Sequence, residues 1–168
     1  MSGANGSRAS AAELDGATFR EALGHFATGI TIVTAMEQGV PVGFTCQAFS
    51  SLSLSPPMVA LAPAKSSTSW PRIARAGAFC VNVLAAHQAD VCRAFAVSGG
   101  DKFAGIAWHP GANGSPVIEG SLAVIECELG TIHDAGDHEL VTGHVQSLQV
   151  GTGGPLLFYR GEFARLAD

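Results

Sequence analysis

The chain has 168 residues, a length typical of one domain around a single core. Hydrophobic residues make up 47% of the chain and charged residues only 14%, so we expect some apolar surface to be buried against another subunit. The formal net charge is −5 and no run of Lys and Arg occurs, which argues against a nucleic-acid binder and against a basic patch for membrane surfaces.

The first residues are small and polar and contain no apolar segment. We therefore expect residues 1–13 to form a disordered arm without a secretory signal, and residues 14–168 to form the folded domain. The longest uncharged stretch, residues 38–64, is interrupted by four prolines, so a membrane-spanning helix is not expected. The four cysteines form no CxxC pair, which favours reduced, buried thiols in a cytoplasmic protein.

The first predicted element is a helix over residues 17–28, because its apolar residues Phe19, Ala22, Leu23 and Phe26 recur on one helical face. Such an amphipathic helix is expected to pack its apolar face on a flat surface.

The segments that follow are predicted strands. Residues 30–36 are β-branched and apolar, and residues 40–49 continue after a turn at Gln38-Gly39, with Gly43 at a bulge or a close approach of two backbones. Residues 50–57 alternate until Pro56-Pro57 breaks the pattern, further strands are predicted at residues 58–63, 78–84, 121–132 and 138–150, and residues 155–166 end the chain.

Two more helices are predicted among these strands, over residues 65–77 and 87–99, and a loop is predicted from 99 to 114. Pro71 suits the first turn of the former helix and Gly77 its end. Six or seven strands with short connections and inserted helices predict a mainly β fold, a closed or nearly closed antiparallel barrel with peripheral helices.

The sequence motifs of several common nucleotide-binding and hydrolytic sites are absent from this sequence. The nearest approach to a dinucleotide-binding GxGxxG is GTGGPLL at 151–157, which lacks the third glycine, and neither a P-loop nor a GxSxG nucleophile elbow occurs. No HxH or HExxH pair occurs either. A metal site stays open as an alternative, because a hairpin could bring together His133, Asp137, His138 and His144.

Two features remain that carry chemistry. Lys65 is followed by four consecutive hydroxyl residues, 66–69, at the predicted helix start, where free backbone N–H groups and the helix dipole favour an anion such as phosphate. Helix capping is the plain alternative for one of these hydroxyls. The second feature is the Gly136-Asp137-His138 turn, whose imidazole could be a solvated turn residue, a metal ligand, a catalytic base or a ligand clamp.

The chain resembles the short-chain flavin reductases, the reductase components of two-component flavin-dependent monooxygenases. The resemblance spans roughly residues 17–166 and depends on seven strings in order. The strings are FREALGHFATGITIVTA, GFTCQAFSSLSLSPPMVAL, KSSTSWPRI, GDKFAG, SPVIEGSLAVIECEL, GDHELVTGHV and GPLLFYRGEF.

This resemblance implies an antiparallel split β-barrel that forms a homodimer, with flavin held near the dimer interface. The residues that it assigns to flavin, first along the ring and ribityl chain and then at the phosphate end, are Thr45, Cys46, Gln47, Ala48, Ser51, Ala62, Lys65, Ser66, Ser67, Thr68, Lys102 and Phe103. It places His138 at the nicotinamide site as the catalytic residue, with Asp137 fixing the ring orientation and Tyr159 near the same pocket.

The activity implied is that of an NAD(P)H:flavin oxidoreductase, which transfers a hydride from NADH or NADPH to FMN or FAD and supplies the reduced flavin to a partner monooxygenase. Two rivals are a flavoprotein that retains its flavin and oxidises an organic substrate directly, and a non-enzymatic flavin- or haem-binding module. Neither the nicotinamide nor the flavin preference is fixed by the sequence.

One dipeptide departs from the family pattern. Gln47-Ala48 stands where relatives commonly carry Asn-Ser, so the side chain at residue 48 has no hydroxyl. Losing one hydrogen bond of about 0.5–1.5 kcal/mol would loosen flavin by up to about tenfold without abolishing binding.

Overall fold

The computed structural model of the protein describes residues 15–166, so the predicted arm at 1–13 lies outside the described residues. The helices are α1 (Gly16–Gly24), α2 (Trp70–Ala76) and α3 (Ala89–Ala96). The strands are β1 (Thr28–Gly29), β2 (Thr31–Glu37), β3 (Val40–Cys46), β4 (Phe49–Leu54), β5 (Pro57–Leu61), β6 (Ala78–Val83), β7 (Trp108–Pro110), β8 (Pro116–Ile118), β9 (Ala123–Ala135), β10 (His138–Val150), β11 (Leu157–Tyr159) and β12 (Glu162–Ala164).

Most of these strands form one antiparallel sheet of seven, in the order β3-β2-β6-β9-β10-β5-β4. A three-stranded sheet, β1-β11-β12, and the β7-β8 pair complete the fold. The prediction of a mainly β, antiparallel fold is confirmed. The edge strands β3 and β4 share no ladder in the described part of the chain, so closure into a split barrel stays a prediction.

Two apolar clusters fill the space around the large sheet. One lies where α2 packs on the sheet and includes Phe44, Leu61, Trp70 and Phe79. The other includes Phe95 of α3, which meets Phe103 edge-to-face with ring centroids 4.9 Å apart. Burial of each such side chain contributes about 1.5–3 kcal/mol, so these clusters hold the helices in place.

The close approach predicted at Gly43 is confirmed. A Cβ added there would come within 2.7 Å of Phe95 Cε1 and 3.1 Å of Val33 O. Any larger residue would therefore push α3 away from β3, which is why this position of the strand requires glycine.

The second predicted helix is shorter than expected at its start. α2 begins at Trp70 and not at residue 65, because Ala64 still pairs with His138 in an antiparallel bridge and keeps the chain extended. Pro71 lies in the first turn and Gly77 ends the helix with a φ of 71°, as predicted. The hydroxyl run therefore immediately precedes the helix and ends at its N-cap residue, Ser69, so the run lies at the helix N-terminus as predicted, although the helical residues begin at 70 and not at 65.

The first helix is also shorter than predicted, ending at Gly24. Asp15 caps it by accepting hydrogen bonds from the N–H groups of Ala17 and Thr18. None of its residues is buried: the side chains of Phe19 and Leu23 are 54% and 56% exposed. The flat surface expected under this helix is not supplied by the described residues of the chain itself.

Other differences follow from local pairing. The predicted strand at 40–49 breaks at the Gln47–Ala48 link, and the predicted loop at 99–114 contains β7. The β9–β10 turn is reduced to Gly136-Asp137. All four cysteines are buried with free thiols, as predicted. No helix among residues 15–166 is long and apolar enough to cross a bilayer.

Candidate active site

A large cavity lies between α1 and the link that joins β3 to β4. Its volume is about 1130 Å³, above the roughly 300–1,000 Å³ of most small-molecule pockets. We call it the apolar cavity; the residues that line it include Phe19, Leu23, Phe26, Gln47, Ala48, Ala60, Leu61, Ala62, Leu140 and Phe158. Three predicted flavin residues, Gln47, Ala48 and Ala62, are thus brought together in one wall. A flat apolar ring fits this lining.

A second cavity, of about 550 Å³, lies where the first half of β3 faces the N-terminal end of α2. We call it the polar cleft; Thr68, Ser69, Arg72, Lys102 and Phe103 line it together with residues 40–43 and 99–101. Three predicted phosphate-end residues, Thr68, Lys102 and Phe103, therefore share one cleft. The structure separates them from Gln47, Ala48 and Ala62, which line the apolar cavity.

Lys102 places a half-buried ammonium in the polar cleft. Its Nζ donates to Phe95 O at 3.1 Å and lies 3.4 Å from Ser69 Oγ, and none of the ion pairs within residues 15–166 includes it. Burial lowers its pKa from the ordinary 10.5, because the charged form loses solvation. An anionic group in the cleft would stabilise this charge, so the donor set suits a phosphate.

His138 is the first residue of β10, directly after the two-residue turn. Its Nδ1 lies 2.7 Å from Asp137 Oδ1, and this hydrogen bond is the main reason that the pKa of Asp137 is lowered from 3.8. The contact orients the imidazole and leaves Nε2 on the far side of the ring. The predicted pairing of Asp137 with His138 is present in the fold.

The register of β10 places His138 at the edge of the apolar cavity. Alternate residues of a strand point to the same face, so His138 and Leu140 share one face of β10. Leu61 pairs with Val141 and Ala64 with His138; between these pairs Ala62 lies across from Leu140, and both line the apolar cavity. The imidazole is therefore two residue pairs beyond the lining of the cavity, on the same face of the strand.

The earlier part of the predicted flavin segment has other contacts. Thr45 Oγ1 donates to the backbone oxygen of Cys92 at 2.9 Å, which uses its hydroxyl in joining β3 to α3. Cys46 is buried, and burial raises the pKa of its thiol to about 11. Ser51 is exposed on β4. Neither Thr45 nor Ser51 lines the apolar cavity or the polar cleft.

Lys65 and the hydroxyl residues that follow it make different contacts. Lys65 Nζ is hydrogen-bonded to Asp134 Oδ2 at 2.5 Å, and Ser66 is exposed in the turn that follows. Ser67 Oγ accepts the backbone N–H of Trp70 at 3.1 Å, a capping role. Within the predicted group at 65–68, the polar cleft receives Thr68.

Tyr159 lies at the end of β11, beside Phe158 of the apolar cavity. Its ring packs edge-on against His25, with ring centroids 6.3 Å apart. This places Tyr159 near the α1 side of the cavity, while its predicted partner His138 lies on the β10 side.

Sequence reasoning missed one residue of the polar cleft, Arg72. Ser69, which belongs to the hydroxyl run predicted to favour an anion, lines the same cleft. Arg72 Nε donates to Glu37 Oε2 at 2.5 Å, so its charge is shared with a carboxylate. The exposed face of α1 was recognised as apolar, but its position over a cavity follows from the tertiary fold alone.

Among residues 15–166, no group of three or more His, Cys, Asp or Glu side chains is placed to hold a metal ion. His133 Nε2 lies 3.0 Å from Thr131 Oγ1, and His144 lies across from Met58 and Glu128 on the neighbouring strands. The histidines of the β9–β10 hairpin thus contact different residues and do not converge on one point.

The described residues thus combine a large, mainly apolar cavity with a smaller cleft lined by Lys102, Arg72 and hydroxyl groups. The chain belongs to the flavin reductase-like domain family, whose model matches residues 23–167.

Similar proteins carry names of the same kind. The reductase subunit HsaB of a flavin-dependent monooxygenase from Rhodococcus jostii (strain RHA1) is 51% identical over 165 residues, covering 97% of this chain and 85% of its own length. The crystal structure of nitrilotriacetate monooxygenase component B from Mycobacterium thermoresistibile is 49% identical with a TM-score of 0.87, covering 90% of this chain and 86% of the other.

A third similar structure contains ligands. The NADH:FAD oxidoreductase SgcE6 of Streptomyces globisporus C-1027, in complex with NAD and FAD fragments, is 34% identical with a TM-score of 0.87. It covers 91% of this chain and 93% of its own.

Proposed function

We propose that the protein is a flavin reductase that oxidises NADH or NADPH, reduces FMN or FAD, and supplies the reduced flavin to a partner monooxygenase. The observation that carries this proposal is the half-buried ammonium of Lys102, which has no carboxylate partner in the described part of the chain and sits among hydroxyls in the polar cleft. Relatives named as reductase components support the same reading.

The ring of the flavin is assigned to the apolar cavity. Its walls include the Gln47–Ala48 link and Ala62, and the apolar side chains that line the rest of the cavity exclude water from a bound ring. The backbone N–H groups of the link are the donors that we assign to the polar edge of the ring, where negative charge develops on reduction. When bound, the nicotinamide supplies a hydride from its C4 to flavin N5, and one proton from solvent completes the reduced flavin.

The phosphate end of the flavin is assigned to the polar cleft. Lys102 Nζ, Thr68 and Ser69 provide a cation and two hydroxyl groups from two different segments of the chain. A charge-assisted hydrogen bond of this type contributes about 1.5–3 kcal/mol, so the tail would account for about 10- to 100-fold of the affinity.

The nicotinamide is assigned to the face of β10 that carries His138. The Asp137 carboxylate orients the imidazole, so that Nε2 can bind the carboxamide or a phosphate of the dinucleotide. Hydride transfer itself requires no proton from this ring, so His138 acts by binding and orientation.

We assign the exposed apolar face of α1 to a contact with a second copy of this chain. Phe19 and Leu23 are more than half exposed, and Phe26, just beyond the helix, is 75% exposed beside the same cavity. A monomer that left this apolar surface in water would forgo a favourable burial. A homodimer with the flavin near its interface is therefore our proposal for the assembly.

Stopped-flow oxidation of NADH and NADPH with FMN and with FAD tests the activity, followed by gel filtration of the protein–flavin mixture. We expect nicotinamide oxidation without any organic substrate, and reduced flavin that separates from the protein. Flavin that stays on the protein, with oxidation only when an organic substrate is added, would favour the flavoprotein rival. Absence of nicotinamide oxidation with either flavin would favour the binding module.

A further inference from the structure

The hairpin tip that carries His138 is tied through its opposite face to the segment leading into α2. Side chains alternate along β10, so Glu139 points away from the His138 face, and its cross-strand partner Asp134 points the same way. Lys65 Nζ donates to Asp134 Oδ2 at 2.5 Å and to the backbone oxygen of Gly136 at 2.6 Å. Trp70, only 3% exposed, donates its indole N–H to Glu139 Oε2 at 2.5 Å.

Backbone hydrogen bonds join the same two segments. The backbone N–H of Lys65 donates to Asp137 O at 2.9 Å, and that of Glu139 donates to Pro63 O at 3.0 Å. The Ala64 bridge to His138 continues the register of the β5–β10 ladder. The segment 63–70 therefore contacts the hairpin tip through both backbone and side chains. The same segment supplies Thr68 and Ser69 to the polar cleft.

The two lysines near the candidate site differ in what surrounds their charge. The ammonium of Lys65 contacts a carboxylate and a carbonyl, and its hydrogen bond is the largest cause of the lowered pKa of Asp134. The ammonium of Lys102 has a carbonyl and a hydroxyl as neighbours. A cation already neutralised by a carboxylate attracts a phosphate less than one without such a partner.

We propose that Lys65 is a positioning residue for the nicotinamide site and not a ligand of the flavin phosphate. With Asp134 it holds the hairpin tip against segment 63–70, so that His138 keeps its place beside the flavin cavities. This inference rests on the proposed function, in which the nicotinamide binds at His138. It assigns to Lys65 a task different from the one that the family resemblance implies.

The variant Lys65→Met keeps the aliphatic stem and removes the ammonium. We expect the KM for NADH to rise about fivefold, the upper range for an exposed ion pair, because the tip samples orientations that misplace His138. The kcat at saturating NADH and the Kd values for FMN and riboflavin should each change less than about twofold. Lys65→Arg, which can keep the ion pair with Asp134, should restore the KM.

A second variant tests the same contact from its other side. Asp134→Ala should also raise the KM for NADH, and the effect of the double variant should be smaller than the product of the two single effects, since both substitutions remove the shared Lys65–Asp134 contact. Thermal unfolding and circular dichroism show that each variant is folded. If Lys65→Met does not fold, Asp134→Ala carries the test alone.

Each alternative outcome contradicts the proposal in its own way. A Lys65→Met protein that loses affinity for FMN but not for riboflavin, which lacks the phosphate, would make Lys65 a phosphate ligand after all. An unchanged KM for NADH in both single variants would remove the positioning role. If His138→Ala raises the KM while these variants do not, the positioning role alone fails; if His138→Ala also leaves it unchanged, the nicotinamide site of the proposed function fails as well.

Discussion

Asp137 Oδ1 lies 2.7 Å from His138 Nδ1 at the tip of the β9–β10 hairpin, two residue pairs beyond the wall of the apolar cavity. A half-exposed imidazole at the end of a strand would otherwise populate several rotamers. The carboxylate removes part of that freedom at a position where a ligand of the cavity can be reached, so the pair combines orientation with access.

The variant His138→Ala should raise the KM for NADH about tenfold or more, because a charge-assisted hydrogen bond of about 1.5–3 kcal/mol to the dinucleotide is lost. The Kd for flavin should stay within about twofold of the original value, since the ring and phosphate sites lie elsewhere. Steady-state kinetics and fluorescence titration with FMN measure the two quantities.

The control for this substitution is His109→Ala, which removes an exposed histidine on β7 that lines neither cavity. It should leave both quantities unchanged. A collapse of flavin affinity in His138→Ala with an unaltered KM for NADH would contradict the assignment of this residue.

Replacing Lys102 with Met should weaken FMN binding about 10- to 100-fold while leaving riboflavin binding almost unchanged, because the lost interaction is with the phosphate. Calorimetric titration with the two flavins gives the comparison directly. Arg93→Met is the matched control, since Arg93 is paired with Asp90 outside both cavities. Equal losses for FMN and riboflavin would indicate a general disturbance of the polar cleft instead of a phosphate contact.

The Ala48→Ser substitution adds to the wall of the apolar cavity the hydroxyl that the family resemblance leads us to expect there. One added hydrogen bond of about 0.5–1.5 kcal/mol should tighten flavin by about two- to tenfold. Fluorescence titration measures the change, and Ala86→Ser, outside both cavities, serves as the control. Weaker binding after Ala48→Ser would mean that the ring packs against the methyl group and leaves no room for an oxygen.

Stability should fall as the pH rises above 9, because three buried thiols resist ionisation in the folded chain. Burial raises the pKa of Cys46 to about 11 and, with the charge of Glu126 as a second cause, the pKa values of Cys80 and Cys127 to about 12 each. Their ordinary pKa is 9.0, so between pH 9 and these values the unfolded chain releases protons that the folded chain retains.

The contribution of the protonated thiols to the free energy of unfolding is thus fully present below pH 9. It is lost as the pH rises through the folded-state pKa values, by up to about 1.4 kcal/mol per pH unit for each cysteine. Urea denaturation at pH 8, 9 and 10 measures this slope. A Cys127→Ala variant should show a shallower slope, whatever its stability at neutral pH. Identical slopes in the two proteins would contradict the buried-thiol explanation.

The extent to which sequence predicts this fold depends on how local each signal is. The strand at 138–150 and the helix end at Gly77 were placed correctly, because alternation, β-branching and a φ that favours glycine are properties of adjacent residues. The start of α2 was misplaced, since Ala64 is held in a β-bridge, and the backbone N–H of Lys65 in a hydrogen bond, by a hairpin some seventy residues away. Hydroxyl density alone could not reveal that pairing.

The candidate site shows the same limit. The sequence and its family resemblance named Lys65 and Lys102 together, as two cations near the phosphate. The fold gives Lys65 a carboxylate partner and leaves Lys102 half-buried without one in the described residues. This difference depends on tertiary contacts and cannot be read from the sequence around either lysine. Arg72 was missed because nothing in its own sequence neighbourhood shows that it lines the polar cleft together with Lys102.

Introducing a charge on α1 should dissociate the proposed dimer. In Leu23→Asp, a carboxylate replaces a 56% exposed side chain in the apolar cavity, and burying it at an interface would cost several kcal/mol. We expect the original protein to sediment as a dimer at micromolar concentration, the variant to sediment as a monomer, and flavin affinity to fall with it. Val97→Asp, at a 63% exposed apolar residue that lines neither cavity, should stay dimeric. A monomeric original protein, or a Leu23→Asp variant that remains a dimer, would show that α1 is not the contact between copies.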